Sequence, residues 1–192
     1  MQLTISLAEY EIFVTAESPD IPRYDVRSAD NVCSLNEEFF LGDASYRPSS
    51  CHRVEIRHGK TVIACRVILA NGGAGGVNSH SALVHDECCF VAVGPYVCAL
   101  SLPSLKLIWY TKADPATCFG VYDAPAFQSI VSHGELEMAR LNYSGKVLWT
   151  ASGRDIVSEG FELYERHAEA VDFYGARYRF DIETGRYEII AP

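Results

Sequence analysis

The stretches SLKLIW (residues 104–109), SGKVLW (144–149) and TGRYEI (184–189) decide the reading of this chain, because they superimpose at a constant interval of 40 residues. Lys106, Lys146 and Arg186 share one repeated position, and Trp109, Trp149 and Ile189 share another. Self-similarity at that period marks a repeat architecture. A second turn lies upstream in each unit, at Gly94–Pro95, His133–Gly134 and Tyr174–Gly175. Each turn joins two segments rich in β-branched and aromatic residues, which fit a pleated, half-buried surface.

Working outward, the first unit is expected to place strands at 82–85, 88–93, 96–102 and 106–111, and the second at 118–122, 128–132, 135–142 and 146–151. The third follows at 155–158 or 161–164, then 168–173, 176–182 and 186–190. The expected fold is all-β, with three propeller-like four-stranded antiparallel units over residues 82–192. The whole chain, 1–192, reads as one domain.

The hairpin FDIETGRYEI (180–189) resembles the repeat of pyrroloquinoline-quinone-type β-propellers, in which an apolar residue, an Asp, a Thr-Gly turn, a basic residue and a Trp recur. Phe180, Asp181, Thr184, Gly185, Arg186 and Ile189 take those places, with Ile in the place of Trp. Leu100 to Trp109 keeps the same length but has Leu105 for Gly; Leu141 to Trp149 keeps Gly145 and is one residue shorter. The resemblance implies blade architecture, with the repeated Trp docked between neighbouring blades. It does not imply the quinone. A run of HGELE, SGKVLW and SGRD is also similar to one in bacterial cytoplasmic proteins, a likeness that brings no activity with it.

Residues 1–81 lack the repeat. Strands are expected at 2–7, 10–17, 53–58 and 61–70, the last two forming a hairpin that reverses at His58 and Gly59. A short helical turn is read at Ser34–Phe40, with Ser34 as its cap and Glu37 in the capping-box place. NGGAGGVNSHS (71–81) reads as a flexible Gly-rich linker. Closed propellers need about four blades or more, so three units require cover. The N-terminal β region is expected to cover or extend the array, and a homodimer is the second way to protect the open edge.

Composition narrows the partners. The balance of 48% apolar and 21% charged residues is that of a globular chain able to bury a core. Its formal charge of −9 repels phosphate backbones and anionic lipid, which argues against nucleic acid and membrane surfaces. Glu9 and Glu11 interrupt the place where a secretory signal needs apolar residues. The odd count of 7 cysteines, without paired spacing, reads as reduced thiols in a cytoplasm.

Candidate chemistry is sparse. The SHGELE segment (132–137) places His133, Glu135 and Glu137 at a hairpin turn, and His85 with Asp86 opens the first unit; these five are the weak catalytic candidates. His80 near His85 and Asp86 is the most plausible convergence for zinc, but no CxxC or HExxH spacing supports it, so no metal is expected. The Gly72, Gly73, Gly75 and Gly76 cluster lacks the Lys-Ser/Thr pair of a phosphate loop. Cys88 and Cys89 point to opposite faces of a strand, which disfavours redox chemistry between them. No cofactor is expected. The preferred function is a non-enzymatic binding or interaction protein with a protein or small-molecule partner, including a bacterial immunity-type role against a basic toxin. The alternative is a hydrolase with an acid/base site on loops near His133 and His85.

Overall fold

The computed structural model describes residues 1–19 and 38–191. Strands gather into four sheets. The first holds β1 (Gln2–Ser6), β2 (Glu11–Ala16), β3 (Glu38–Leu41), β4 (Ser50–His58) and β5 (Thr61–Ala70) in the order β1-β2-β4-β5-β3. Only β3 on β5 runs parallel within it.

The second sheet is the meander β6 (Ala82–His85), β7 (Cys88–Val93), β8 (Tyr96–Ser101) and β9 (Leu107–Lys112). The third is β10 (Cys118–Ala124), β11 (Ser129–Gly134), β12 (Met138–Asn142) and β13 (Val147–Ala151). The fourth is β14 (Gly160–Leu163), β15 (His167–Val171), β16 (Arg177–Asp181) and β17 (Tyr187–Ala191). The three expected units are all present.

Sheets stack in chain order, and the sequence of each strand shows why. CCFVAV in β7 is apolar throughout because both of its faces are covered. Cys89, Val91 and Val93 join Ile12, Val54 and Ile68 of the first sheet, while Phe90 and Ala92 join Val121, Ile130 and Leu141 of the third. Each such aliphatic or aromatic side chain contributes about 1.5–3 kcal/mol by leaving water. In RYRFD of β16 the pattern alternates instead. Tyr178 and Phe180 are buried against Met138 of the third sheet, and Arg177 and Arg179 are exposed. The first sheet thus extends the array and covers one face of the second.

Several expectations are corrected. Strand β11 continues through His133 and Gly134, and the reversal falls at 135–137, because Gly134 N–H bonds to Glu137 C=O (3.0 Å). Of the helical turn read at Ser34–Phe40, residues 38–40 belong to β3, drawn into the sheet by pairing with β5; Ser34 and Glu37 lie outside the described residues. Cys65 is disulfide-bonded, so the expectation of uniformly reduced thiols fails there, while Cys88, Cys89, Cys98 and Cys118 are free.

Residues 71–81 form an ordered strap rather than a flexible linker. Gly73 N–H donates to Ala116 C=O (2.9 Å), the Ser50 hydroxyl donates to Gly73 C=O (3.0 Å), and Asn78 Nδ2 donates to Phe119 C=O (2.8 Å). A β-carbon on Gly73 would collide with Thr117 and the Ala116 backbone. The glycine is there for close approach.

At the junction of the second and third sheets, Trp109 Nε1 donates to Tyr143 C=O (3.0 Å) and Thr111 Oγ1 to Gly145 C=O (2.7 Å). Trp149 repeats the arrangement one sheet later, with Nε1 donating to Ile182 C=O (2.9 Å) beside Gly185. Arg140 reinforces this junction by donating to Ser129 Oγ (2.9 Å) and to the carbonyls of Phe127, Ile182 and Glu183.

Ile189 departs from the pattern. In the second and third sheets one extra residue, Ile108 or Leu148, bulges just before the Trp. In the fourth sheet the bulge lies beyond Ile189, which pairs with Tyr178 and packs into the core shared with the third sheet. Glu188 takes the outward place and meets Arg179 (3.6 Å). Arg179 also binds Glu169 (2.9 Å), so the far face of this sheet is a charged ladder.

Candidate functional site

Three turns at one end of the array converge between the second and third sheets. The first follows β6, where His85 leads into a tight reversal with Asp86 in the left-handed region (φ 50). The second follows β10, where a single 3-10 turn, Pro125–Phe127, ends on left-handed Gln128 (φ 48, ψ 49). The third links β12 to β13, where Asn142 Oδ1 accepts from Ser144 N–H (3.2 Å), Ser144 Oγ (2.8 Å) and Lys146 N–H (2.9 Å). An Asn side chain that replaces backbone acceptors in this way fixes the turn.

These turns line a cleft of about 560 Å³, with His85, Asp86, Gln128, Tyr143 and Ser144 on its walls. Asp123, near the end of β10, orients two of them. Its Oδ2 lies 3.0 Å from His85 Nδ1, and its Oδ1 accepts from the Tyr143 hydroxyl (2.8 Å). The imidazole stacks on the Tyr143 ring at 4.0 Å and 17°. Because a carboxylate only accepts, Nδ1 carries the proton in this contact, which leaves Nε2 for the cleft. Asp86 Oδ2 stands 3.5 Å from Nε2. Burial, and then the Asp123 carboxylate, pushes the Tyr143 phenol well above its ordinary range, so it stays a neutral donor.

Of the five residues singled out in the sequence, His85 and Asp86 come together here. His133 lies elsewhere. Its ring is stacked on Phe161 (4.6 Å, 12°), edged by Phe119 (5.4 Å), and its Nε2 donates to Val157 C=O (2.9 Å). Burial holds its pKa below the ordinary imidazole value. Glu135 and Glu137 flank Leu136 on the following turn, and among the described residues no hydrogen bond or ion pair joins either to His133. That turn is held by Asp114, whose Oδ2 accepts from Leu136 N–H (2.9 Å) and Glu137 N–H (2.7 Å).

Asp123, Tyr143 and Asp114 were not singled out by sequence. Asp114 had a signal, since Asp-Pro favours a turn in which the carboxylate caps nearby amides. Asp123 had none, because its partners are 38 and 20 residues away. His80, weighed as a zinc ligand, stacks on Tyr122 (4.6 Å), and no group of three or more His, Cys, Asp or Glu among the described residues is placed to hold a metal ion. No helix of the described residues is long and apolar enough to cross a membrane.

Stacked four-stranded meanders, locked by an outer-strand Trp, define a β-propeller-like array. No family model matches the chain, and no curated protein matches it in sequence. Among solved structures it is similar to the WD40 β-propeller domain of Doa1, over 99% of this chain and 54% of that one, with a TM-score of 0.54 and 10% identity. It is also similar to BamB from Moraxella catarrhalis, over 73% of this chain and 46% of that one, with a TM-score of 0.51 and 16% identity. The chain thus spans about half the length of each, and the likeness is one of fold.

Proposed function

We propose that this protein is a non-enzymatic binding protein whose cleft between the second and third sheets takes a small, hydrogen-bond-donating ligand. The observation that carries the reading is the double role of Asp123, which orients His85 and Tyr143 together while no hydroxyl or thiol of the described residues hydrogen-bonds to His85. An oriented acceptor without a nucleophile in place suits recognition better than turnover. The net charge of −9 supports a finer reading, an immunity-type protein of a bacterial cytoplasm whose protein partner is basic, since opposite charge accelerates encounter.

The test is affinity capture on the full chain from its host, with mass-spectrometric identification of both small molecules and proteins retained. A captured small molecule should bind Asp123→Asn at least about tenfold more weakly than wild type. Equal binding, or none retained, counts against the cleft.

A hydrolase is the second reading, favoured by the same Asp123–His85 pair, in which Nε2 would take a proton from an attacking water. Turnover of uncharged esters that disappears in His85→Ala would replace the first reading with this one.

A further inference from the structure

The end of the array opposite the cleft holds three apolar side chains in water: Leu136 (38% exposed), Phe173 (61%) and Tyr174 (79%). They stand on turns of adjacent sheets, at 135–137 and 172–176. Segment 153–159 ties the two turns together, with Val157 N–H donating to Glu135 C=O (2.9 Å) and Phe173 N–H to Ile156 C=O (2.8 Å). Both turns are held from beneath by a buried Asp. Asp114 caps the first, and Asp172 Oδ1 accepts from Tyr174 N–H (3.0 Å) and Ala176 N–H (2.9 Å) while its Oδ2 takes the Tyr178 hydroxyl (2.6 Å). Phe173 and Tyr174 meet edge to face at 5.4 Å.

Aromatic side chains on a preorganised backbone lose little freedom when a partner closes over them, which is why such residues dominate interface energetics. The charge around these three is one-sided. Glu135, Glu137, Asp155 and Glu159 come from the same segments, against Arg154 and the exposed Arg177 that closes the second turn. An apolar centre with an acidic rim fits a complementary apolar pocket rimmed by lysine and arginine.

We propose that Leu136, Phe173 and Tyr174 form the docking surface for a basic protein partner. The partner's charge rests on the finer functional reading above, and the surface itself is independent of the His85 cleft. The four carboxylates steer the encounter, and the aromatic pair anchors it.

The test uses the full chain, a protein captured on it from the host, and the dissociation constant of that protein at low and high salt. Phe173→Ala/Tyr174→Ala should weaken binding about 100-fold. Glu135→Gln/Glu137→Gln should weaken it about tenfold and flatten the salt dependence. Asp123→Asn should leave it unchanged. Circular dichroism checks that each variant folds. Binding lost in Asp123→Asn but kept in the aromatic variant would move the partner to the cleft and overturn this surface alone. A captured protein that is acidic, or a second copy of this chain by light scattering, overturns it as well. Nothing retained at all removes both the surface and the binding reading.

Discussion

The indole of Trp109 lies directly over the α-carbon of Gly145, so closely that a β-carbon there would sit 2.5 Å from Trp109 Cδ2. Trp149 and Gly185 repeat the relationship at 2.7 Å. Each sheet thus supplies an indole that only a glycine turn in the next sheet can receive, and two hydrogen bonds from the donor sheet fasten the pair at the first of these junctions.

Gly145→Ala is therefore expected to be costly for two separate reasons. Gly145 has φ +86, and the new methyl would displace the indole. The loss should be about 2–4 kcal/mol, read from the urea midpoint. Gly175 has a similar φ of +89 but nothing within 4 Å of an added β-carbon. Gly175→Ala should cost only about 1 kcal/mol, and equal losses at the two sites would show that the indole contact is unimportant.

Between the first and second sheets the turn itself supplies the buried side chain. The turn equivalent to Gly145 carries Leu105, which keeps a positive φ of 53 and is fully buried among Ile12, Val54 and Leu100. No Trp comes from the first sheet; Arg66 Nη2 reaches the turn instead, at Ser104 C=O (3.4 Å). Leu105→Gly relieves the backbone but opens a cavity, so stability should fall by about 1–3 kcal/mol. A gain in the denaturation midpoint would mean that backbone strain outweighs packing.

Two buried imidazoles make the fold acid-sensitive. Burial holds the pKa of both His52 and His133 below the ordinary value of 6.5, against weaker support from backbone carbonyls at Gly75, Ala92 and Val157. Both rings are neutral when folded, and the unfolded chain takes up the protons first. Their contribution is fully present above about pH 6.5 and is lost as the pH falls through the lowered folded values. Urea midpoints should decline from about pH 7 to about pH 5, and His133→Phe, which keeps the stack on Phe161, should flatten part of that slope.

Three buried thiols should be silent in the native state. Burial pushes Cys89 and Cys118 up to about 12 and raises Cys98 further, so none offers a thiolate near neutrality. A thiol-reactive chromophore at about pH 8 should leave these three unlabelled until denaturant is added. Mass mapping of native labelling at any of them would show that the cores open.

Sequence and structure agree most closely where local chemistry repeats. The units over 82–192 were legible because their turns recur, and the opposite faces of Cys88 and Cys89 followed from strand alternation. The indole contacts were legible as packing. Ile189 was misplaced because a one-residue bulge can shift along a strand without altering composition, and the shift turns the side chain to the other face. His133 was placed on a turn for a related reason: Gly134 marks the reversal but still pairs within the strand. The His85–Asp123 pair was out of reach because two turns, far apart in sequence, meet only when neighbouring sheets stack in register.

The strap at 71–81 also governs how the array can come apart. In a stack where each sheet touches only its neighbours, sheets can fray one at a time from either end. Here Ser50 of the first sheet grips Gly73, whose amide is bonded to Ala116 at the threshold of the third, and His80 C=O holds Val121 N–H (2.8 Å) inside it. Loosening the first sheet therefore also weakens the strap's hold on the third. That next-nearest coupling makes unfolding of these sheets a shared event instead of a sequential peeling.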